Sequence, residues 1–299
     1  MSQYQNILVP LDGSSLAERA LAPAVTIAQA MGAHLVLLRV VPPIMLTVDP
    51  QLYEQLTRQS EDEATAYLHQ VQANLANETA VSSETAVSTE TLIINGPAAA
   101  TIIQVAQERA CNLIIMSSHG RSGPGRWVYG SVAEKVLRGG CCNTLIIRAQ
   151  VETPVFATKQ ILVPLDGSSL AEKALAPAFA IAEAIAGQVT LLRVVTAAHL
   201  QIETQTMKQQ ADYLEDHDQD EAEAYLQELH SRLPATTCPI TNAFAKGPTA
   251  DTIIDFSETQ QMDLIVMSSH GRSGIERWIH GSVTEKVLRG AHCATLVVR

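Results

Sequence analysis

Short apolar runs alternate with longer stretches of helical periodicity along the chain. Residues 6–11 (NILVPL) and 34–41 (HLVLLRVV) are continuous apolar runs, typical of strands that are buried on both faces. Between them, Ser15 and Glu18 have capping-box spacing, and apolar residues continue at helical spacing as far as Met31. The same criteria predict a helix from Leu52 to about Leu75, a strand at 85–94, a helix from Gly96 to about Arg109, a strand at 113–116, a helix at 131–138 and a strand at 144–147.

Most of this pattern occurs twice. The segment QNILVPLDGSSLAERALAPA begins at Gln5 and returns, nearly unchanged, from Lys159, and IIMSSHGRSGPGRWVYGSVAEKVLRG begins at Ile114 and returns from Ile265. A repeat of this length is a whole domain and not a solenoid unit. We therefore predict a first domain at 1–148, a linker at 149–158 and a second domain at 159–299.

Composition narrows the class of protein. The 299 residues include 46% hydrophobic residues, which is enough for packed cores, and carry a net charge of −11, which argues against non-specific nucleic-acid binding. No apolar run reaches the roughly 18 residues of a membrane span, and the first residues show no signal-like pattern. The five cysteines form no CxxC pair and are typical of reduced thiols. We expect a cytoplasmic protein without a membrane or nucleic-acid partner.

Two segments follow the predicted ends of buried strands, where α/β sheets bind ligands. The first is the turn at Asp12, and the second is the glycine-rich loop at 117–130, which leads into a helix at Ser131. Glycines let backbone amides approach a ligand closely, and the first amides of a helix favour an anion. Arg121 adds positive charge to this loop, so the pattern favours a phosphate-binding site.

Each of these features has a simpler explanation. Ser131 and Glu134 have the spacing of a capping box, so the serine could serve only as a helix cap. Asp12 could do no more than form an Asx-turn over Gly13, although the cap expected at Ser15 makes it unnecessary for the helix. The chain has no GxxxxGK[ST] loop, no GxGxxG after the first strand and no GxSxG elbow, so no catalytic residue is predicted.

The chain resembles the universal stress protein family in a tandem, two-domain form. Nucleotide-binding members of that family carry Gly-x-x-Gly, nine residues, then Gly-Ser/Thr. Here Ser117 begins the first such motif, which ends in Gly130-Ser131, and Ser268 begins the second, which ends in Gly281-Ser282. In both copies serine replaces the first glycine.

The resemblance implies two open parallel five-stranded sheets of order 3-2-1-4-5, with helices on both faces. ATP would lie across strands one and four of each, with a divalent metal such as magnesium accompanying its phosphates. With the loop residues, the candidate ligand-binding positions are Pro10, Asp12, Val40, Met116, Ser117, Gly120, Arg121, Gly123, Gly130 and Ser131 in the first repeat, and Pro164, Asp166, Val194, Met267, Ser268, Gly271, Arg272, Gly274, Gly281 and Ser282 in the second.

The function implied is that of an ATP-binding regulator of a stress response, with at most slow ATP hydrolysis and a signalling partner that the sequence does not name. Related single-domain proteins dimerise through the last strand, so we expect the two domains to pair within the chain, and a homodimer of chains is a further expectation. The alternatives are a nucleotide-free interaction module and an enzyme that cleaves ATP slowly.

Overall fold

The computed structural model describes residues 3–43, 49–82, 87–120, 130–148, 155–195, 205–233, 235–269 and 282–299. The chain divides into two compact units, Met1–Val155 and Phe156–Val298. Much of the predicted linker, 149–158, lies outside the described residues, so its exact bounds stay a prediction.

The first unit is an open parallel sheet of order β3-β2-β1-β4-β5. This confirms the predicted order. Its elements are β1 (Asn6–Leu11), α1 (Ser15–Glu18), α2 (Leu21–Met31), β2 (His34–Val41), α3 (Pro50–Ser82), β3 (Thr89–Asn95), α4 (Ala98–Glu108), β4 (Leu113–Ser117), α5 (Ser131–Gly139) and β5 (Asn143–Ile147).

The central strands are buried on both faces, as their continuous apolar runs predict. Ile7, Leu8 and Val9 are successive residues whose side chains alternate between the two faces of the sheet, and each is 0% exposed. Parallel strands of this kind need helices on both faces to cover them. The register sets Ile7 beside Leu35 of β2 and Leu113 of β4, which places β1 at the centre of the sheet.

The segment after β1 differs from the prediction in two respects. The expected continuous helix is divided into α1 and α2, and α1 is capped by Ser14 instead of Ser15. The Ser14 hydroxyl oxygen accepts a hydrogen bond from the Ala17 amide at 3.2 Å. Ser15 is already the first helical residue, so its side chain is not the cap.

The observed bounds of α3 and β3 also differ from the predicted ones. Helix α3 begins two residues before the predicted start and continues to Ser82, well beyond Leu75, and β3 begins at Thr89 although the β-branched pattern started at residue 85. Residues 83–86 lie outside the described part.

The second unit has the same order, β8-β7-β6-β9-β10. Its elements are β6 (Gln160–Leu165), α6 (Ser169–Glu172), α7 (Leu175–Ile185), β7 (Gln188–Val195), α8 (Gln205–Arg232), β8 (Ile240–Lys246), α9 (Thr249–Thr259), β9 (Leu264–Ser268), α10 (Ser282–Gly290) and β10 (Ala294–Val298). None of the helices in the described ranges is long and apolar enough to cross a bilayer.

The repeats differ at the end of their second helix. Helix α2 ends at Gly32 with a φ of 65°, and α7 ends at Ala186 with a φ of 52°. Both residues are in the left-handed region, which glycine adopts readily and alanine adopts at a cost. The second repeat therefore keeps the turn without the residue that favours it.

Candidate functional site

A cavity of about 320 Å³ opens at the carboxyl end of the first sheet, where β1 and β4 lie side by side. The chain leaves β1 toward β2 on one side and reaches β4 on the other, so this is the point where strand order reverses. The volume is within the range of small-molecule sites.

Apolar side chains form the base of this cavity and polar backbone forms its rim. Every predicted first-repeat residue that the structure describes lines it, namely Pro10, Asp12, Val40, Met116, Ser117, Gly120, Gly130 and Ser131. Arg121 and Gly123 were predicted with them and lie outside the described residues. The structure thus brings together residues that are more than 100 positions apart in the sequence.

Asp12 is held in an Asx-turn at the rim of the cavity. Its Oδ1 accepts hydrogen bonds from the Ser14 amide at 3.0 Å and from the Ser14 hydroxyl at 2.6 Å. Because Ser14 is itself the helix cap, the carboxylate supports that cap, and the expectation that the helix does not need Asp12 is wrong. Between them, Gly13 has a φ of 81°, which glycine permits without strain.

Gly120 packs directly against the same carboxylate. A Cβ at this position would lie less than 3.0 Å from Asp12 Oδ2, so only glycine fits unless the carboxylate moves. The loop on the other side of the cavity is tied at its base, because the Gly130 amide donates to the Ser118 carbonyl at 2.7 Å. The requirement for glycine at residue 120 is therefore steric and comes from Asp12.

Helix α5 points its first residues at the cavity. Its N-cap is Gly130, no side chain caps it, and Ser131 to Ala133 line the cavity. The capping box suggested by Ser131 and Glu134 is therefore wrong, because Ser131 is the first helical residue. The unpaired amides of an uncapped helix start attract an anion, and the helix dipole adds to that attraction.

A polar network lies behind the Asp12 turn. Arg39 donates to the Leu11 carbonyl at 3.4 Å, and the Tyr67 hydroxyl donates to Glu18 at 3.0 Å. Burial raises the pKa of Tyr67 above its usual range, and the hydrogen bond to Glu18 raises it further. This network recurs in the second unit, where Arg193 donates to Leu165 at 3.2 Å and Tyr225 donates to Glu172 at 3.1 Å.

Sequence reasoning missed several residues that line the cavity. These are Leu11, Ala17, Leu38, Ala98, Ile102, Ser118, His119, Val132 and Ala133. A signal existed for Ala98 and Ile102, which are one turn apart on the helix after Gly96-Pro97 and so share a face. That α4 turns this face toward the cavity follows only from its packing against α5 and β2.

The second unit repeats the described part of this arrangement. Asp166 accepts from the Ser168 amide at 2.9 Å and from its hydroxyl at 2.6 Å, as Asp12 does from Ser14. Pro164, Val194, Met267 and Ser268 lie on β6, β7 and β9 as their counterparts lie on β1, β2 and β4, and Ser282 begins α10. Gly271, Arg272, Gly274 and Gly281 lie outside the described residues.

Two wall residues differ between the repeats, because Thr249 and Thr284 of the second unit correspond to Ala98 and Ala133 of the first. Ala133 lines the first cavity, whereas the corresponding position in the second unit is Thr284, which is 3% exposed and donates to the Ser268 carbonyl at 3.1 Å. The second unit therefore has a bulkier, polar side chain where the first has a methyl group.

An open parallel α/β sheet with a glycine-lined, uncapped helix start at its switch point is typical of small-ligand-binding domains. The first unit has this arrangement, and the second repeats its sheet and its aspartate turn. The model of the universal stress protein family matches residues 3–148 and 157–299. The chain belongs to that family, in its tandem form, as the motif resemblance predicted.

Relatives and solved structures agree with this assignment. A universal stress protein of Mycobacterium tuberculosis is 28% identical over 309 residues, covering 99% of this chain and 98% of its own. One of Methanocaldococcus jannaschii is 29% identical over 150 residues, covering 47% of this chain and 82% of its own. The crystal structure of a putative universal stress protein from Pseudomonas aeruginosa has a TM-score of 0.71 at 17% identity, covering 99% of this chain and 93% of that one. At 17% identity, the similarity to the Pseudomonas aeruginosa structure shows a shared fold.

Proposed function

We propose that this universal stress protein binds ATP in each of its two domains and acts as a regulator whose nucleotide occupancy changes its contacts with a signalling partner. The observation that carries the proposal is the uncapped start of α5, which opens on the same cavity as the Asp12 carboxylate. An anion site and a carboxylate that line one cavity suit the phosphates and the ribose of a nucleotide.

Each part of the nucleotide has a suitable counterpart. Pro10, Val40 and Met116 present apolar surface for a base. Asp12 directs Oδ1 to Ser14 and lines the cavity, and its carboxylate would accept a hydrogen bond from a ribose hydroxyl. The first helical amides of α5, at Ser131 and Val132, would donate hydrogen bonds to phosphate oxygens.

A divalent cation would arrive with the phosphates. Across the described ranges, no group of three His, Cys, Asp or Glu residues is arranged to hold a metal ion by itself. Magnesium retains waters and binds through substrate phosphates with few protein ligands, so the site needs no cage of its own.

We expect the first-repeat site to be at least as tight as the second. Ala133 presents only a methyl group to the first cavity, whereas Thr284 adds bulk and a hydroxyl at the corresponding position of the second unit. The sequence supports the same order, because Glu276 replaces Gly125 and would repel phosphates if it faced them.

Calorimetric titration of nucleotide-free protein with ATP tests the proposal. We expect two ATP per chain, and Asp12→Ala should weaken only the tighter site while Asp166→Ala weakens only the other. Native mass spectrometry of the purified protein identifies the bound nucleotide. No binding at either site would favour a nucleotide-free interaction module, and steady release of phosphate that Asp12→Ala abolishes would favour a hydrolase.

The loop arginines provide a test of ligand class. Replacing both Arg121 and Arg272 should weaken ATP by about 1–3 kcal/mol per site and leave adenosine nearly unchanged, because a guanidinium forms charge-assisted bonds to phosphate. Equal weakening of both ligands would mean that the arginines support only the fold.

We also propose, from the sequence, that the two domains pair through their last strands, residues 144–147 and 295–298, and that two chains associate further. Each of these strands is the last in the strand order of its own unit, and short apolar strands at a sheet edge favour pairing with another strand. Cysteine pairs introduced along these strands should crosslink within the chain. Crosslinks that place the strands on opposite outer sides of the molecule would refute the pairing.

A further inference from the structure

Three of the five cysteines lie together at the amino end of the first sheet. Cys111 comes two residues before β4, Cys141 comes two residues before β5, and Cys142 directly precedes β5. The register sets Leu113 opposite Asn143, so Cys111 and Cys141 each lie two residues before the paired starts of neighbouring strands, and Cys141 is close enough to contribute to the raised pKa of Cys111. Neighbouring strands are about 4.8 Å apart, so residues just before two such strands can reach the Cα separations that a disulfide spans.

The three thiols differ in access to solvent. Cys111 is buried, Cys141 is exposed and Cys142 is intermediate. The Cys142 thiol shares a hydrogen bond with Cys141; burial raises its pKa to about 12, and the neighbouring thiols add to that shift. Burial likewise raises the pKa of Cys111 to about 11, with a contribution from Cys141. Cys141 is therefore the thiol that a dissolved reagent meets first, with two protonated thiols beside it.

Nothing in the shared fold requires this cluster. At the corresponding positions the second unit has Met262, His292 and Cys293, and His292 lies 2.7 Å from Glu258. The cluster is also remote from the cavity, because it lies at the amino ends of the strands and the cavity lies at their carboxyl ends. Within the described residues no group of thiols is placed to hold a metal ion. With ligand binding in the cavity and metal binding by these thiols set aside, oxidation is the chemistry that we consider for the three thiols.

We propose that Cys141 and Cys111 form a disulfide when the protein meets a hydroperoxide, which makes the first domain a peroxide-responsive thiol site. The Cys141 sulfur attacks the peroxide oxygen, the O–O bond breaks, and the products are a sulfenic acid on Cys141 and an alcohol or water. The Cys111 sulfur then attacks the sulfenic sulfur, the S–O bond breaks, and one water leaves. Together the two thiols lose two hydrogens and two electrons to one peroxide.

Cys111 is a better partner for Cys141 than the adjacent Cys142. A bond between sequence neighbours closes an eight-membered ring that strains the peptide unit between them, whereas Cys111 comes from a separate segment, just before the neighbouring strand. The Cys111–Cys141 bridge would close a ring that contains β4 and the loop at 117–130. This proposal does not depend on nucleotide binding.

Peptide mapping under non-reducing conditions tests the assignment. The full chain is treated with hydrogen peroxide, alkylated, digested and analysed by mass spectrometry. We expect a peptide pair joined through Cys111 and Cys141, lighter by two hydrogens than the separate peptides, in the wild type and in Cys142→Ser. The pair should be absent in Cys141→Ser, a change at an exposed position that leaves the core intact.

The second domain supplies the control. Cys238 and Cys293 should remain open to alkylation after unfolding, because neither belongs to such a cluster in the sequence register. In Cys111→Ala the oxidised Cys141 should persist as a sulfenic acid that dimedone traps. A Cys141–Cys142 bridge, a joined pair that survives in Cys141→Ser, or bridges only between chains would each overturn the proposal.

Discussion

Replacing Gly120 by alanine should loosen the turn at Asp12, although the two residues are far apart in the sequence. The added methyl would lie less than 3.0 Å from Asp12 Oδ2, so the carboxylate must move. In the wild type, Asp12 Oδ1 accepts hydrogen bonds from the Ser14 amide at 3.0 Å and the Ser14 hydroxyl at 2.6 Å. Moving the carboxylate distorts both bonds. A hydrogen bond to a charged group contributes about 1.5–3 kcal/mol, so we expect local destabilisation of about 2 kcal/mol.

Hydrogen exchange at individual amides measures this effect. The Ser14 amide donates to Asp12 and the Ala17 amide donates to Ser14, so both report on the turn. A loss of about 2 kcal/mol corresponds to roughly 30-fold faster exchange at these amides when opening is local. The amides of Ser168 and Ala171 make the same bonds in the second unit and should not change.

A double-mutant cycle isolates the steric cause. In the Asp12→Ala background the methyl at residue 120 meets no carboxylate, so Gly120→Ala should cost well under 1 kcal/mol there, and the two changes should be coupled by about 1 kcal/mol or more. Unchanged exchange at Ser14 in the single variant, or strictly additive effects, would refute the contact between Gly120 and Asp12.

Three further outcomes follow from the packing and the titrating groups. Ala186→Gly should stabilise the second unit by about 0.5–1 kcal/mol in urea unfolding and Gly32→Ala should destabilise the first, because both positions have positive φ. Burial raises the pKa of Cys111 from 9.0 to about 11, so the stability that its neutral thiol contributes should be complete below about pH 9 and fall as pH rises toward 11, and Cys111→Ala should flatten this decline in urea midpoints. Under the proposed function, Ala133→Thr should weaken ATP at the first site about tenfold and Thr284→Ala should tighten the second, as measured by titration calorimetry.

The sequence by itself predicted two repeats of alternating strands and helices, and the family resemblance supplied the strand order. The continuous apolar runs identified parallel strands that are buried on both faces, because burial leaves no polar face to create alternation. The duplication of long segments identified two domains, and the spacing from Ser117 to Gly130 pointed to the loop at the carboxyl end of β4. Each of these signals can be recognised in the order of the residues alone, so no three-dimensional structure is needed to detect them.

Only the tertiary structure decided which serine caps which helix and why glycine is favoured at residue 120. Ser14 and Ser15 are equally good caps by residue type, and the choice depends on backbone angles and on the Asp12 carboxylate beside Ser14. The contact between Gly120 and Asp12 and the proximity of Cys111 to Cys141 both follow from which strands are neighbours and in what register, since these residues adjoin the ends of β1, β4 and β5. Strand register is a long-range property set by the packing of the whole sheet, and no local pattern of residues encodes it.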